Sequence, residues 1–272
     1  MTDAAVFDES ARAPSVILLG GIGSGKTEAI RTLVNTGIEV FMLAIEYPDI
    51  LKDIPKEKLH WKYIPPAIPD WPTLIDNANK INMLNNKALQ DLPGMNQQKY
   101  RQFFSVLEGC ANFKCDRDGK EYGDVTKWEP NRALVIDSLS GLSILSRDLA
   151  VGSKPILSQP DWGKAMDNLE RFINLCTTGT RCLFVLTAHT ERETDEITGG
   201  TSIMASTLGR KLAPKLPRFF TDVIHCKRDG TKFSWSTSTS GMELKRRNLP
   251  FSDNLAPDFG PLVENWKKRN GL

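Results

Sequence analysis

The stretch from Ser15 to Thr27, SVILLGGIGSGKT, constrains this chain more than any other feature. Its apolar run from Val16 to Leu19 reads as a buried strand, and the residues from Lys26 onward read as a helix. Between them, Gly20, Gly21, Ile22, Gly23, Ser24, Gly25, Lys26 and Thr27 fit the spacing G-x-x-x-x-G-K-[ST] of a phosphate-binding loop. Glycines let the backbone curl so that successive N–H groups point inward at phosphate oxygens, and the helix start adds partial positive charge there. In such a loop Lys26 reaches the terminal phosphates of ATP, the Thr27 hydroxyl ligates Mg²⁺, and Glu28 follows in the helix behind them. A chance glycine-rich turn would not need a strand before it and a helix after it, and both are present.

Three further apolar runs end in polar residues. Residues 39–45 form a nearly continuous apolar segment that stops at Glu46. Unbroken runs of this kind suit central strands of a parallel sheet, buried on both faces. A carboxylate at such a tip could act on a water, or could be an ordinary solvated glutamate. Residues 133–136 lead to Asp137 and Ser138, the second half of a Mg²⁺-nucleotide site once a phosphate loop lies upstream. Residues 182–188 make another buried run, ending at His189. The expected fold class is α/β, a mostly parallel doubly wound sheet with antiparallel strands at the C-terminal side.

The remaining segments read as follows. Residues 1–14 form a flexible arm, residues 15–248 the core, and residues 249–272 a tail with three prolines. Residues 59–64 read as a short strand. Thr73 can cap a helix carrying Leu74, Ala78, Ile81, Leu84 and Ala88 on one face. Tyr100, Phe103, Phe104 and Leu107 mark a second helix, and residues 116–119 a hairpin turn, so that about 73–130 is a helical and hairpin insertion. Residues 139–160 mix glycine, serine and proline with Arg147 and Lys154, which suggests a partly mobile loop. Met166, Leu169, Phe172, Ile173 and Cys176 share a helical face. A helix is expected over 202–212, stopped by Pro214, then a hairpin around residues 228–230 and a last strand over 242–248.

Composition narrows the class. The chain has 272 residues and a net charge of +2, yet from Leu208 onward it carries thirteen Lys or Arg against six Asp or Glu. That asymmetry suits a polyanionic partner or a solvated basic face. Five cysteines without framework spacing point to a reducing compartment, and Cys110 and Cys115 read as ordinary thiols rather than zinc ligands. No apolar run is long enough to span a bilayer, so no membrane association and a cytoplasmic location are expected.

The order of these motifs resembles the RecA-like P-loop ATPase core, in particular the compact phage and prophage RecA-like proteins that include Sak-type single-strand-annealing ATPases. The resemblance runs over most of Val16 to Asn248. It rests on the phosphate loop, Glu46 after the second strand, Asp137-Ser138, His189, the loop with Gly199-Gly200, and the late Lys245-Arg246-Arg247. It implies that Glu46 is the general base that activates water and that His189 senses the γ-phosphate. It implies that Lys245 and Arg247 enter a neighbouring subunit's site, with ATP at the interfaces of a ring or filament. By the same resemblance, residues 147–162 and 190–201 correspond to paired loops that touch single-stranded DNA. Because Glu191, Glu193, Asp195 and Glu196 repel phosphate, the contacts fall to Arg192, the backbone at Gly199 and Gly200, and Arg210 and Lys211. The implied activity is ATP-linked annealing or strand exchange in phage recombination and repair, in the host cytoplasm if the chain is phage-encoded. A single-strand-binding protein is a candidate partner. A nucleic-acid motor or helicase loader, and a KaiC-like assembly switch without DNA, use the same core and stay open.

Overall fold

A computed structural model describes residues 11–194 and 200–272, the side chain of Arg210 excepted. The chain runs through β1 (Ser15–Leu19), α1 (Lys26–Val34), β2 (Glu39–Ala44), β3 (Leu59–Tyr63), α2 (Trp71–Met83), α3 (Asn86–Asp91) and α4 (Gln102–Ala111). It continues with β4 (Arg132–Asp137), α5 (Leu139–Val151), α6 (Gln159–Thr178), β5 (Leu183–Ala188), β6 (Thr190–Thr194) and β7 (Thr201–Ala205). It ends with α7 (Gly209–Leu212), β8 (Asp222–Asp229), β9 (Lys232–Ser236), β10 (Lys245–Arg246) and α8 (Gly260–Arg269).

The apolar runs become adjacent strands in the order β10-β8-β1-β5-β4-β2-β3, with β9 also on β8. The pairs from β8 across to β3 are parallel, while β9 and β10 meet β8 antiparallel. This is the α/β class expected from the motifs. Side chains alternate across a strand, so each run feeds two cores. Ile17, Leu19, Phe41, Leu43, Leu134, Ile136, Phe184 and Leu186 join Phe103, Leu142, Leu145, Leu169 and Phe172 from α4, α5 and α6. Val16, Leu18, Val40, Met42, Val135 and Val185 join Ile30 and Leu33 of α1 and Leu262, Val263 and Trp266 of α8. Since β1, β5, β4 and β2 run parallel, their last residues lie along one edge. Because β5 lies between β1 and β4, the residue after β5 falls between the glycine-rich loop and Asp137.

Several expectations are corrected. The cap of α2 is Asp70, which accepts the Thr73 N–H at 2.9 Å, with Pro72 in the first turn. The expected stripe is split, because Asn85 accepts the Ala88 N–H and starts α3, and no residue of α2 is buried. Residues 139–151 are helix rather than loop. Ser138 caps α5, and its serines serve the interior: Ser146 Oγ donates to Ala165 O at 2.7 Å. Residues 201–205 are a strand, and Pro214 lies in a 3-10 segment, Ala213–Phe219, that continues from α7. The last strand shrinks to Lys245–Arg246. The turn at 116–119 forms, closed by Cys115 N–H to Lys120 O at 2.9 Å, but its flanks make only a single bridge, Lys114 to Glu121.

The segment expected as a tail contains α8, whose Leu262, Val263 and Trp266 are buried. Trp266 Nε1 donates to Arg12 O at 2.8 Å, and Ala13 N–H donates to Arg181 O, so residues 12–14 are tied to the core. Deleting that buried indole by Trp266→Ala is expected to cost about 3–5 kcal/mol. Urea unfolding checks this: the midpoint should fall with the slope unchanged, whereas a loosely attached tail would leave the midpoint in place.

Candidate nucleotide site

Loop 20–27 leaves β1 with Gly20 N–H donating to Ala188 O at 3.1 Å, which ties the loop to the tip of β5. Gly23 and Gly25 sit at φ +70° and +83°, where L side chains are strained. At Gly20 a Cβ would lie 2.5 Å from Ser24 Oγ and 2.6 Å from Cys226 O. Glycine is therefore required by close approach at the first position and by dihedral at the other two. Ile22 faces outward at 92% exposure.

Lys26 is buried under this loop. Its Nζ donates to Gly20 O at 2.9 Å and Gly21 O at 2.8 Å, and lies 3.4 Å from Ser24 Oγ and from His189 Nδ1. Burial lowers its pKa, opposed by Cys226, Asp137 and Glu46. Its present acceptors are neutral carbonyls, and a charged phosphate oxygen is a stronger acceptor for the same ammonium.

Asp137 ends β4 against this lysine. Thr27 Oγ1 donates to its Oδ2 at 2.7 Å, and Thr187 Oγ1 donates to its Oδ1. Burial raises the Asp137 pKa, and the two threonine hydrogen bonds oppose that rise. A hydroxyl and a carboxylate facing each other beside amide donors are a hard-oxygen set, which fits Mg²⁺.

Glu46 stands beside them. The N–H groups of Ile45 and Glu46 both donate to Asp137 O, at 2.8 and 3.4 Å. Ser138 Oγ donates to Glu46 Oε1 at 2.8 Å, and His189 Nε2 lies 4.0 Å from the same oxygen. The Glu46 side chain is 59% exposed, so it is oriented on one side and open to water on the other. His189 thus stands between Lys26 and Glu46, with one ring nitrogen toward each.

Sequence reasoning missed two contributors and gave no separate role to a third, Ser138. Thr187 is wholly buried, and its signal was one hydroxyl in an otherwise apolar strand. Ser138 follows Asp137 directly and doubles as the cap of α5. The β8–β9 hairpin leans over the loop, since a Cβ at Gly23 would lie 3.3 Å from Arg228 Nη1 and one at Gly25 would lie 3.0 Å from Phe233 Cδ1. No local motif marks that contact, which comes from β8 pairing with β1.

Other expected site residues lie elsewhere. Glu28 pairs with Arg31 at 2.7 Å on the helix surface. Lys245 and Arg246 pair with Val223 and Asp222, which start β8, whereas the loop follows Leu19 opposite His225. Lys245 and Arg247 are therefore exposed at the other end of the sheet from this chain's own loop, and Lys245 Nζ donates to Pro217 O at 3.1 Å. The segment 147–162 offers no free cation as a loop: Arg147 holds Asp148, and Lys154 holds Asp161 at 2.8 Å. Residues 190–194 and 201–205 form an antiparallel hairpin on which Arg192 is exposed. Gly200 precedes β7, Lys211 is exposed on α7, Gly199 lies outside the described residues, and so does the Arg210 side chain.

No protein-family model and no characterised protein sequence matches the chain. Among solved structures it is similar to an ATPase from the type III secretion system of pathogenic bacteria, at 12% identity and a TM-score of 0.38. That match covers 80% of this chain and 52% of the other, so this chain spans about half its length. It is also similar to the flagellar accessory protein FlaH from Methanocaldococcus jannaschii, at 11% identity and a TM-score of 0.38, covering 90% and 84% of the two chains. Among the described residues no helix is long and apolar enough to cross a membrane.

The Asp137 environment gives a pH test. Its folded-state pKa lies above the usual 3.8, so the folded protein binds the proton more tightly than the unfolded chain. The resulting stability is complete below that usual value and is lost as pH rises through the raised pKa. Without nucleotide or Mg²⁺, urea midpoints from about pH 4 to about pH 8 should show a downward component that Asp137→Asn removes. Identical pH profiles for the two proteins would contradict the assignment.

Proposed function

We propose that this chain is a RecA-like, Mg²⁺-dependent ATPase that assembles with ATP at subunit interfaces and binds single-stranded DNA for annealing or strand exchange. The observation that carries the ATPase part is the convergence of Lys26, Thr27, Asp137, Glu46 and His189 on one sheet edge. The loop amides and Lys26 hold the triphosphate. Thr27 and Asp137 would hold Mg²⁺, which, when bound, neutralises charge on the β- and γ-phosphates. Glu46, steadied by Ser138, orients and deprotonates the water for in-line attack. His189 contacts the lysine on one side and the base on the other, and β6 follows it directly in the chain.

Lys245 and Arg247 do not reach this chain's own loop, so they are assigned to a neighbour's site. There they neutralise charge on the transferring phosphoryl group. The DNA part of the reading rests on the hairpin after His189 with its exposed Arg192, on the exposed Lys211 of α7, and on the basic C-terminal third. A nucleotide-controlled assembly switch is the second reading, favoured by the acidic residues Glu191 and Glu193 on β6.

Two experiments test these parts separately. Lys26→Ala should abolish ATP affinity and turnover in folded protein. Arg247→Ala should keep ATP binding yet lower turnover by about 10³-fold. Mixing the two variants should restore part of the activity, because some interfaces then pair an intact loop with an intact arginine. No recovery on mixing counts against shared sites. For DNA, fluorescence anisotropy with a single-stranded oligonucleotide and ATP should show binding that weakens with salt. No binding at low salt removes the recombination role and leaves the switch.

A further inference from the structure

The edge of the sheet opposite the nucleotide site holds a second cluster of chemistry-bearing side chains. His60 on β3 is buried at 2% exposure, its ring stacked on Phe41 with centroids 4.7 Å apart. Neither ring nitrogen has a hydrogen-bond partner. An imidazole shielded from water with both nitrogens unbonded is costly, and such groups call for a partner. Nδ1 lies 3.8 Å from Asp118 Oδ2, and Nε2 lies 3.5 Å from Glu39 Oε1. The Cys115 thiol, also buried, completes the group: one donor atom each from His60, Cys115 and Asp118 falls within 4.8 Å of the others.

We propose that His60 Nδ1, Cys115 Sγ and an Asp118 carboxylate oxygen form a site for a zinc-class divalent metal ion. Sulfur, imidazole nitrogen and carboxylate oxygen together suit Zn²⁺ and disfavour Mg²⁺ or Ca²⁺, which take oxygen ligands. The surroundings orient each donor. Burial raises the pKa of the Cys115 thiol, and the Arg117 N–H, donating to Cys115 Sγ at 3.3 Å, opposes that rise. Tyr122 Oη donates to Asp118 Oδ2 at 2.9 Å, and Lys120 N–H donates to Oδ1 at 3.0 Å. Glu39 faces the other ring nitrogen and is itself held by Arg132 Nε at 2.9 Å, the carboxylate–histidine–metal arrangement that fixes a tautomer. The Arg117 guanidinium is turned away, onto Leu59 O and Ile54 O at 2.8 and 2.7 Å. Binding displaces one proton from Cys115 to solvent, and water completes the coordination.

Glu39 begins β2 and His60 lies at the start of β3, so the cluster sits at the N-terminal ends of these strands, away from Asp137 and Glu46. Its role is to fasten the turn carrying Cys115 and Asp118, in the segment between α4 and β4, to the sheet. Of the two cysteines close in sequence only Cys115 takes part: Cys110 contacts Cys176 instead. The proposed site departs from the expectation of two ordinary thiols at Cys115 alone.

Cobalt substitution tests the site without reference to ATP. Full-length protein stripped with a chelator is titrated with Co²⁺ and followed by absorption. The expected result is stoichiometric binding with a thiolate-to-cobalt charge-transfer band and tetrahedral visible bands, both erased by added Zn²⁺. Cys115→Ser should abolish the charge-transfer band, and Cys110→Ser should keep it. Zn²⁺ should also raise the melting temperature of the wild type but not of Cys115→Ser. A folded wild type that gives no charge-transfer band overturns the proposal, as does a band that survives Cys115→Ser. A neutral imidazole packed on Phe41 between Glu39 and Asp118 would then account for His60.

Discussion

Parallel pairing of β1, β5, β4 and β2 is the constraint on which the candidate nucleotide site depends. A parallel sheet buried on both faces admits few polar side chains along its strands, Thr187 with its bond to Asp137 being one, but leaves the C-terminal tips free to carry them. Glu46, Asp137 and His189 each follow or end an apolar run, and register places them beside one another. The two cores hold that register, because a slip of one residue would send every side chain of a strand to the wrong face. The chemistry of the edge is therefore set by the packing of Phe41, Leu134, Phe184 and their neighbours.

Burial gives that edge its electrostatic character. It lowers the pKa of Lys26 and raises that of Asp137, so desolvation works against both ionised forms. The protein answers with short neutral contacts: two carbonyls on the lysine and two threonine hydroxyls on the aspartate. Cys226, under the same loop, is pushed up to about 12 by burial and stays a thiol. A site of this kind suits an incoming polyanion and cation, whose charges would replace the missing hydration. Thr187 matters because it restrains Asp137 from the interior, where water cannot.

The parts legible in the sequence were those written locally. The loop spacing, the unbroken apolar runs and the polar residue after each gave the strands and their tips, because buried parallel strands leave no other pattern. What failed depended on partners distant in sequence. Serine and glycine in 139–151 suggested a loop, yet Ser146 is satisfied by Ala165, and Gly141 is needed because a Cβ there would lie 2.5 Å from Ile45. The helix expected over 202–212 is confined to Gly209–Leu212, because residues 201–205 pair with β6 as a strand. Prolines in 249–272 suggested a tail, but Trp235, Phe259 and Trp266 share a core that only the folded sheet creates. The Arg228 and Phe233 contacts with the loop, and the His60 cluster, likewise arise from strand pairing and turn placement.

The position of His189 links the site to the surface hairpin. Its ring lies between Lys26 and Glu46, while its backbone carbonyl accepts the Ser206 N–H at 2.7 Å, just past the end of β7. Strand β6 begins at the next residue, so both legs of the hairpin are attached to His189. Residues 189 and 206 thus form the base of the hairpin as well as one wall of the site. Under the proposed function, the group that meets the γ-phosphate and the pivot of the hairpin are one residue. On that reading no chain of intermediates is needed to couple them, because the ring facing Lys26 and the backbone carbonyl at the base of the hairpin belong to one residue. The proposed sensing role is supported by the placement of the ring, which faces an ammonium with one nitrogen and a carboxylate with the other.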